Sequence, residues 1–221
     1  MRAGRQERGF TLIEGAVAIA IIAVLAALAW SNLGRLRPRS SLVSAGLELQ
    51  SLIHGARQSA LSTGHDVAVL VFPVYPGPLG TGRVIVYEDG NFDFFSAAAA
   101  VNFDGYNPAS PAAGSRSQVL TTMDLPAGIT VGPLTGMGTS AVLPAPLAGI
   151  DVTKDCSFCG ALVDRRGAIK FDARGRVSFY GSNGAPSLGG GSLSLTSTDV
   201  GGQRTLVITP TTGSVRAIYN G

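Results

Sequence analysis

The chain has 221 residues, enough for one domain with a sizeable core but not for a second large one. Hydrophobic residues make up 45% and charged residues 14%, while 30 Gly and 12 Pro demand frequent turns, a mixture that suggests an apolar membrane segment joined to a loop-rich, mostly β head. The pI near 9.1 invites a nucleic-acid partner, but from Ser40 to Gly221 there are 11 Lys or Arg against 12 Asp or Glu, a formal net of −1. The basicity is therefore not a property of the body of the chain: Arg2, Arg5 and Arg8 precede the apolar run, and Arg35, Arg37 and Arg39 follow it, where they set topology or meet anionic headgroups.

Phe10 to Trp30 is a run of 21 residues in which only Thr11 and Glu14 are clearly polar, long enough as a helix to span a hydrocarbon core of about 30 Å. A secretory signal peptide has a shorter apolar core followed by a small-residue cleavage site, which this run lacks. An ordinary signal anchor fits the length but leaves Glu14 unexplained, because a carboxylate inside hydrocarbon costs about 2.5 to 3.5 kcal/mol and normally has a partner or a task. Trp30 suits an interfacial position at the end of the run.

The string Gly9-Phe10-Thr11-Leu12-Ile13-Glu14, with its basic leader and unbroken apolar sequel, resembles the class III signal of type IV prepilins and type II secretion pseudopilins. The resemblance implies cleavage after Gly9 by a prepilin peptidase and N-methylation of the new terminus at Phe10. The leader then stays in the cytoplasm and the head is periplasmic, as the positive-inside rule also requires. It implies as well that Glu14 meets the Phe10 ammonium of a neighbouring subunit during assembly.

Pro38 is expected to kink the helix, since its ring removes one hydrogen bond. Beyond it Leu42, Ala45, Leu49, Leu52, Ile53, Ala56 and Ala60 recur at three- and four-residue spacing, which predicts an amphipathic helix from Ser40 to about Ser62, with Ser62-Thr63-Gly64 as its stop. His54 and Arg57 fall on its polar side. Asp66 to Phe72 and Arg83 to Tyr87 read as strands around a Pro/Gly turn, and Phe92, Phe94 and Phe95 as a further short strand. From Ser96 to Pro146 the expectation is surface loops around strands near Gln118 to Thr122 and Ile129 to Val131.

Cys156 and Cys159, as C-S-F-C, are expected to form a short-loop disulfide in an oxidising compartment. A redox motif asks for a helix start beside the first Cys, and zinc asks for ligands that His54 and His65 do not supply by spacing. Arg165, Arg166, Lys170, Arg174 and Arg176, interrupted by Asp164 and Asp172, form the one basic cluster of the head. It reads as a solvated hairpin face, with a DNA-contact stripe as the alternative. Gly167 to Asp172 and Gly175 to Tyr180 predict that hairpin, and Leu193 to Ser197, Arg204 to Thr209 and Ser214 to Tyr219 predict three more strands.

No P-loop, HExxH or G-x-S-x-G motif is present, so the sequence supports neither an enzyme nor a cofactor. A spine helix followed by a β head with FDARGRVSF and RTLVITPTTGSVRAIYNG is similar to the FimT/GspH-like group of minor pilins and pseudopilins, over residues 40 to 72 and 165 to 221. Residues 73 to 160 read as variable insertion.

The fold class expected is α+β: a long N-terminal α-helix, transmembrane half plus amphipathic half, packed on a C-terminal antiparallel β-sheet head. The divisions are a cleaved leader 1–9, a transmembrane helix 10–30, a spine helix 31–62 and a periplasmic head 63–221. What the resemblance implies is a subunit of a type IV pilus or secretion pseudopilus, its partners being other pilin or pseudopilin subunits, prepilin peptidase and the inner membrane, with DNA in the competence-pilus alternative. A membrane-anchored binding module that never polymerises is the remaining reading.

Overall fold

The computed structural model describes residues 12–132, 143, 145, 147–152, 154–160, 165–182, 186–187, 190–199, 201–210 and 212–220. The chain divides between Arg37 and Pro38 into two compact units. A helix, α1, runs Leu12–Thr63. Its helical assignment passes through Pro38, where the sequence expects a kink.

In the second unit, α1 buries Leu42, Ala45, Leu49, Ile53, Ala56 and Ala60, the stripe that the three-four spacing predicts, with Leu52 partly covered. Gly64 ends it: at φ 73° it adopts the left-handed conformation that costs glycine least, and its N–H donates back to the Ala60 carbonyl at 3.1 Å.

Among the described residues ten strands follow: β1 Asp66–Pro76, β2 Thr81–Asp89, β3 Gln118–Asp124, β4 Ile129–Val131, β5 Gly167–Phe171, β6 Val177–Gly181, β7 Pro186–Ser187, β8 Gly191–Ser197, β9 Gln203–Ile208 and β10 Val215–Asn220. They form two sheets, in the orders β3-β2-β1-β5-β6-β7 and β10-β9-β8-β4. The sequence leads to one antiparallel sheet; the pairing is antiparallel throughout, but it is split in two. One core fills the space enclosed by the buried stripe of α1, Val67, Val69 and Val71 of β1, Ile169 and Phe171 of β5, and Leu193, Leu195, Leu206 and Ile208 of the smaller sheet.

Both faces of the larger sheet are covered, which explains why DVAVLVF is a continuous apolar run and not an alternating one. On the face away from α1, Ala68, Leu70, Phe72, Ile85 and Tyr87 pack against Phe94, Phe103 and Tyr106. Phe103 and Tyr106, in the segment expected to be surface loop, thus belong to a second core. Phe94 stacks on Tyr87 with ring centroids 4.1 Å apart, and Tyr106 meets Phe94 edge-on at 5.4 Å. The short strand expected at Phe92 to Phe95 is instead a turn, because both oxygens of the buried Asp89 carboxylate accept backbone N–H bonds, from Asn91 at 3.3 Å and Phe94 at 2.9 Å. That arrangement turns Phe94 inward at the expense of strand pairing.

Candidate functional site

Two regions carry the residues singled out by sequence: the N-terminal part of α1 and the start of the β5–β6 hairpin. In the first unit, Leu12, Ile13, Val17, Ile19, Ile21, Ile22, Val24, Leu25 and Leu28 are all exposed, Leu12 at 92% and Ile19 at 70%. At 100° per residue these positions lie on every side of the helix. A helix apolar all round is built for lipid or for the interior of an assembly, and an isolated chain in water leaves it uncovered. Glu14 lies in the first turn, exposed in the single chain, where a carboxylate is favoured by the helix dipole. Gly9 and Phe10 lie outside the described residues. Among the described residues, no helix is long and apolar enough to cross a membrane.

In the head, the basic cluster does not form one stripe. Arg165 and Arg166 enter β5, whereas Arg174 and Arg176 sit at its far turn, about 17 Å away across five strand residues. Arg165 donates from both terminal nitrogens to Asp155, at 2.5 and 2.6 Å, and from Nε to the Gly160 carbonyl at 3.3 Å. Burial alone would raise the Asp155 carboxyl, but the Arg165 hydrogen bonds, the Cys156 N–H and the Arg165 charge hold it below the usual carboxylate range.

Lys170 pairs with Asp66 at 2.6 Å, and its ammonium lies 5.5 Å from the Phe95 ring centroid. Burial would depress the lysine; the Asp66 hydrogen bond and charge overcome it and keep the ammonium above its ordinary pKa. Asp172 organises the turn: its Oδ1 accepts the N–H groups of Arg174 and Arg176 at 2.9 Å each, and its Oδ2 pairs with the Arg176 guanidinium at 2.7 Å. Gly175 at φ 74° lets the chain close there. Arg166 donates from Nη1 to three carbonyls, those of Phe103, Asp104 and Tyr106, at 2.9, 2.7 and 3.2 Å. Arg174 is exposed. Three of the five cations therefore have carboxylate partners and a fourth ties a loop to the sheet.

Cys156 and Cys159 are joined by a disulfide with Cα atoms 5.3 Å apart. The clip is anchored to β8 through a bridge from Cys156 to Leu193 and the Ser157 N–H on the Ser192 carbonyl at 2.9 Å. His54 is exposed, and His65 holds the buried Glu88 through Nδ1 at 2.7 Å, with Gln118 on the other carboxylate oxygen at 2.6 Å. No group of three or more His, Cys, Asp or Glu among the described residues could hold a metal. Arg57 is not wholly on the polar side: it is half-buried and its Nε has no hydrogen-bond partner among the described residues.

Asp155 as the partner of Arg165, and the Phe103 to Tyr106 carbonyls as acceptors for Arg166, are not readable from sequence. The latter lie about sixty residues from Arg166 in a stretch with no periodicity.

Residues 4–30 match the family described as the prokaryotic N-terminal methylation motif. The N-terminus of the chain therefore carries a prokaryotic N-terminal methylation motif. The match takes in Gly9, Phe10, Glu14 and the apolar run to Trp30, so the segment that carries the motif also contains the helical stretch whose large apolar residues are exposed on every side. No curated protein sequence matches the chain. Among solved structures, the type IV minor pilin FimU of Pseudomonas aeruginosa is similar over 83% of this chain and 90% of that chain, at 14% identity and a TM-score of 0.39.

Proposed function

We propose that the protein is a non-enzymatic structural subunit, a minor pilin or minor pseudopilin, that is cleaved after Gly9, methylated on Phe10, held in the inner membrane by its apolar helix and then assembled into a type IV pilus or secretion pseudopilus. The observation that carries this reading is the methylation motif over residues 4–30 coinciding with a helix whose apolar residues are exposed on every side. The head is periplasmic in this account, where an oxidising environment suits the Cys156–Cys159 disulfide.

Glu14 gives the helix its register. Cleavage creates an ammonium on Phe10, and in the low dielectric of packed helices a neighbour's carboxylate attracts it strongly, although desolvation takes back much of the gain. The pair then selects one axial offset between subunits more than it adds stability. Glu14→Ala is the test: processing continues, while incorporation into filaments, read as the protein recovered in sheared or cross-linked filament fractions, falls at least about tenfold. Unchanged incorporation removes this role from Glu14.

DNA contact by the head is the less favoured reading, because Arg165, Lys170 and Arg176 already have carboxylate partners and phosphate contacts need free cations.

A further inference from the structure

A cavity of about 180 Å³ opens to solvent on the outer side of the larger sheet, between the end of β1 and the entry to β5. It is lined by Phe72, Val74, Tyr75, Pro76 and Pro108 together with Arg165 and Arg166. The volume accommodates one apolar or ring-bearing side chain.

The charges around it are unequal. Arg165 is neutralised by Asp155. Arg83, stacked 4.4 Å over the Tyr75 ring, is neutralised by Asp124 at 2.6 and 2.9 Å. Arg166 has no carboxylate partner among the described residues: its Nη1 is committed to the three carbonyls, while Nε and Nη2 have no acceptor and are not among the buried unpartnered nitrogens. The three-carbonyl tether fixes the guanidinium plane before any ligand arrives, and its carbon lies 5.7 Å from the Phe72 ring centroid. A preorganised guanidinium with a free Nε and Nη2 edge is shaped for two parallel bonds to a carboxylate.

The walls offer few polar side-chain groups beyond the two arginines and the Tyr75 hydroxyl, so a sugar would leave its hydroxyls unmatched, whereas an apolar group next to a carboxylate would be satisfied. Val74, which also lines the cavity, is 50% exposed. It provides an apolar rim for the residue that precedes the one in the cavity.

We propose that this cavity captures the C-terminal residue of a partner polypeptide, its α-carboxylate on the Nε and Nη2 edge of Arg166 and its apolar side chain against Phe72, Tyr75 and Pro108. The assignment is independent of the filament reading, since it rests on the head alone.

The test uses the full-length protein in detergent and three probes: the peptide Gly-Ser-Gly-Pro-Phe with a free C-terminus, the same peptide as its C-terminal amide, and N-acetyl-phenylalanine, with affinity measured by calorimetry. The free peptide binds at least about tenfold more tightly than the amide, as charge-assisted bonds to a carboxylate require. Arg166→Gln abolishes that difference and Arg166→Lys retains part of it. Equal binding of acid and amide, or no binding at millimolar peptide, overturns the proposal. Binding of N-acetyl-phenylalanine as tight as the peptide also overturns it, by making a free small acid the ligand. Should Arg166→Gln lose its near-ultraviolet dichroism, Tyr75→Ala decides: weakened peptide binding with an intact melting transition supports the site, and unchanged binding refutes it.

Discussion

Arg165 lays both terminal nitrogens of its guanidinium on the Asp155 carboxylate, at 2.5 and 2.6 Å, and thereby ties the disulfide loop to the strand entry of β5. The two side chains are 29% and 17% exposed, between the surface pairs that contribute little and the buried pairs whose disruption costs several kcal/mol. Arg165→Ala and Asp155→Ala each lower unfolding free energy by about 1 to 3 kcal/mol, and the double variant costs less than their sum. Urea unfolding of the four proteins measures the coupling; additive losses would mean the pair is incidental.

Tyr106 buries its hydroxyl in the aromatic cluster, without a hydrogen-bond partner among the described residues. Burial pushes that phenol up to about 12. An unsatisfied buried hydroxyl costs about 1 to 3 kcal/mol, so Tyr106→Phe stabilises the head by about 1 kcal/mol. The matched control is Tyr87→Phe, which destabilises, because the Tyr87 hydroxyl accepts the Gly114 N–H at 3.2 Å. Opposite shifts in melting temperature are expected, and shifts of the same sign contradict the assignment.

Acid sensitivity follows from Glu88. Burial alone would raise its carboxyl, but hydrogen bonds from Gln118, His65 and Thr63 together outweigh that effect and hold it below the ordinary value. A depressed carboxylate contributes stability that is present above its unfolded pKa of about 4.3 and is lost as pH falls through the folded one. The melting temperature is therefore flat from neutral pH to about 5 and falls below that. Glu88→Gln removes part of the fall, which a pH series of thermal melts on both proteins records.

Reduction of the Cys156–Cys159 disulfide has a modest effect. The bridge spans a sequence separation of 3, and so short a loop constrains the unfolded chain by only about 2 kcal/mol. Thermal melts with and without reductant, or of Cys156→Ala/Cys159→Ala, register a drop of a few degrees while the head stays folded. Loss of the folded state on reduction would make the clip a determinant of the fold.

The amphipathic stripe of α1 and most strands of the head are legible in the sequence because their periods of 3.6 and 2, and their Gly and Pro punctuation, are local signals. The β5–β6 hairpin is announced by two strand-like runs that meet at Ala173-Arg174, although Asp172 and Gly175, read as strand ends, in fact build its turn. The second core is not legible: Phe94, Phe103 and Tyr106 are scattered through a Pro/Gly/Ala-rich stretch with no period, and only the long-range position of β1 and β2 gives them a surface to cover. The basic cluster is visible as composition, but its partition between Asp155, Asp66, Asp172 and backbone carbonyls depends on tertiary contacts that spacing does not encode.

The identity of the mature N-terminus is the most direct test of pilin-type processing. Protein purified from cells with active prepilin peptidase, measured by intact mass and N-terminal sequencing, should begin at N-methylated Phe10. Recovery of a chain that still starts at Met1 under those conditions would contradict processing and, with it, the pairing of Glu14 with a neighbour's ammonium and the packing of the exposed helix into a filament.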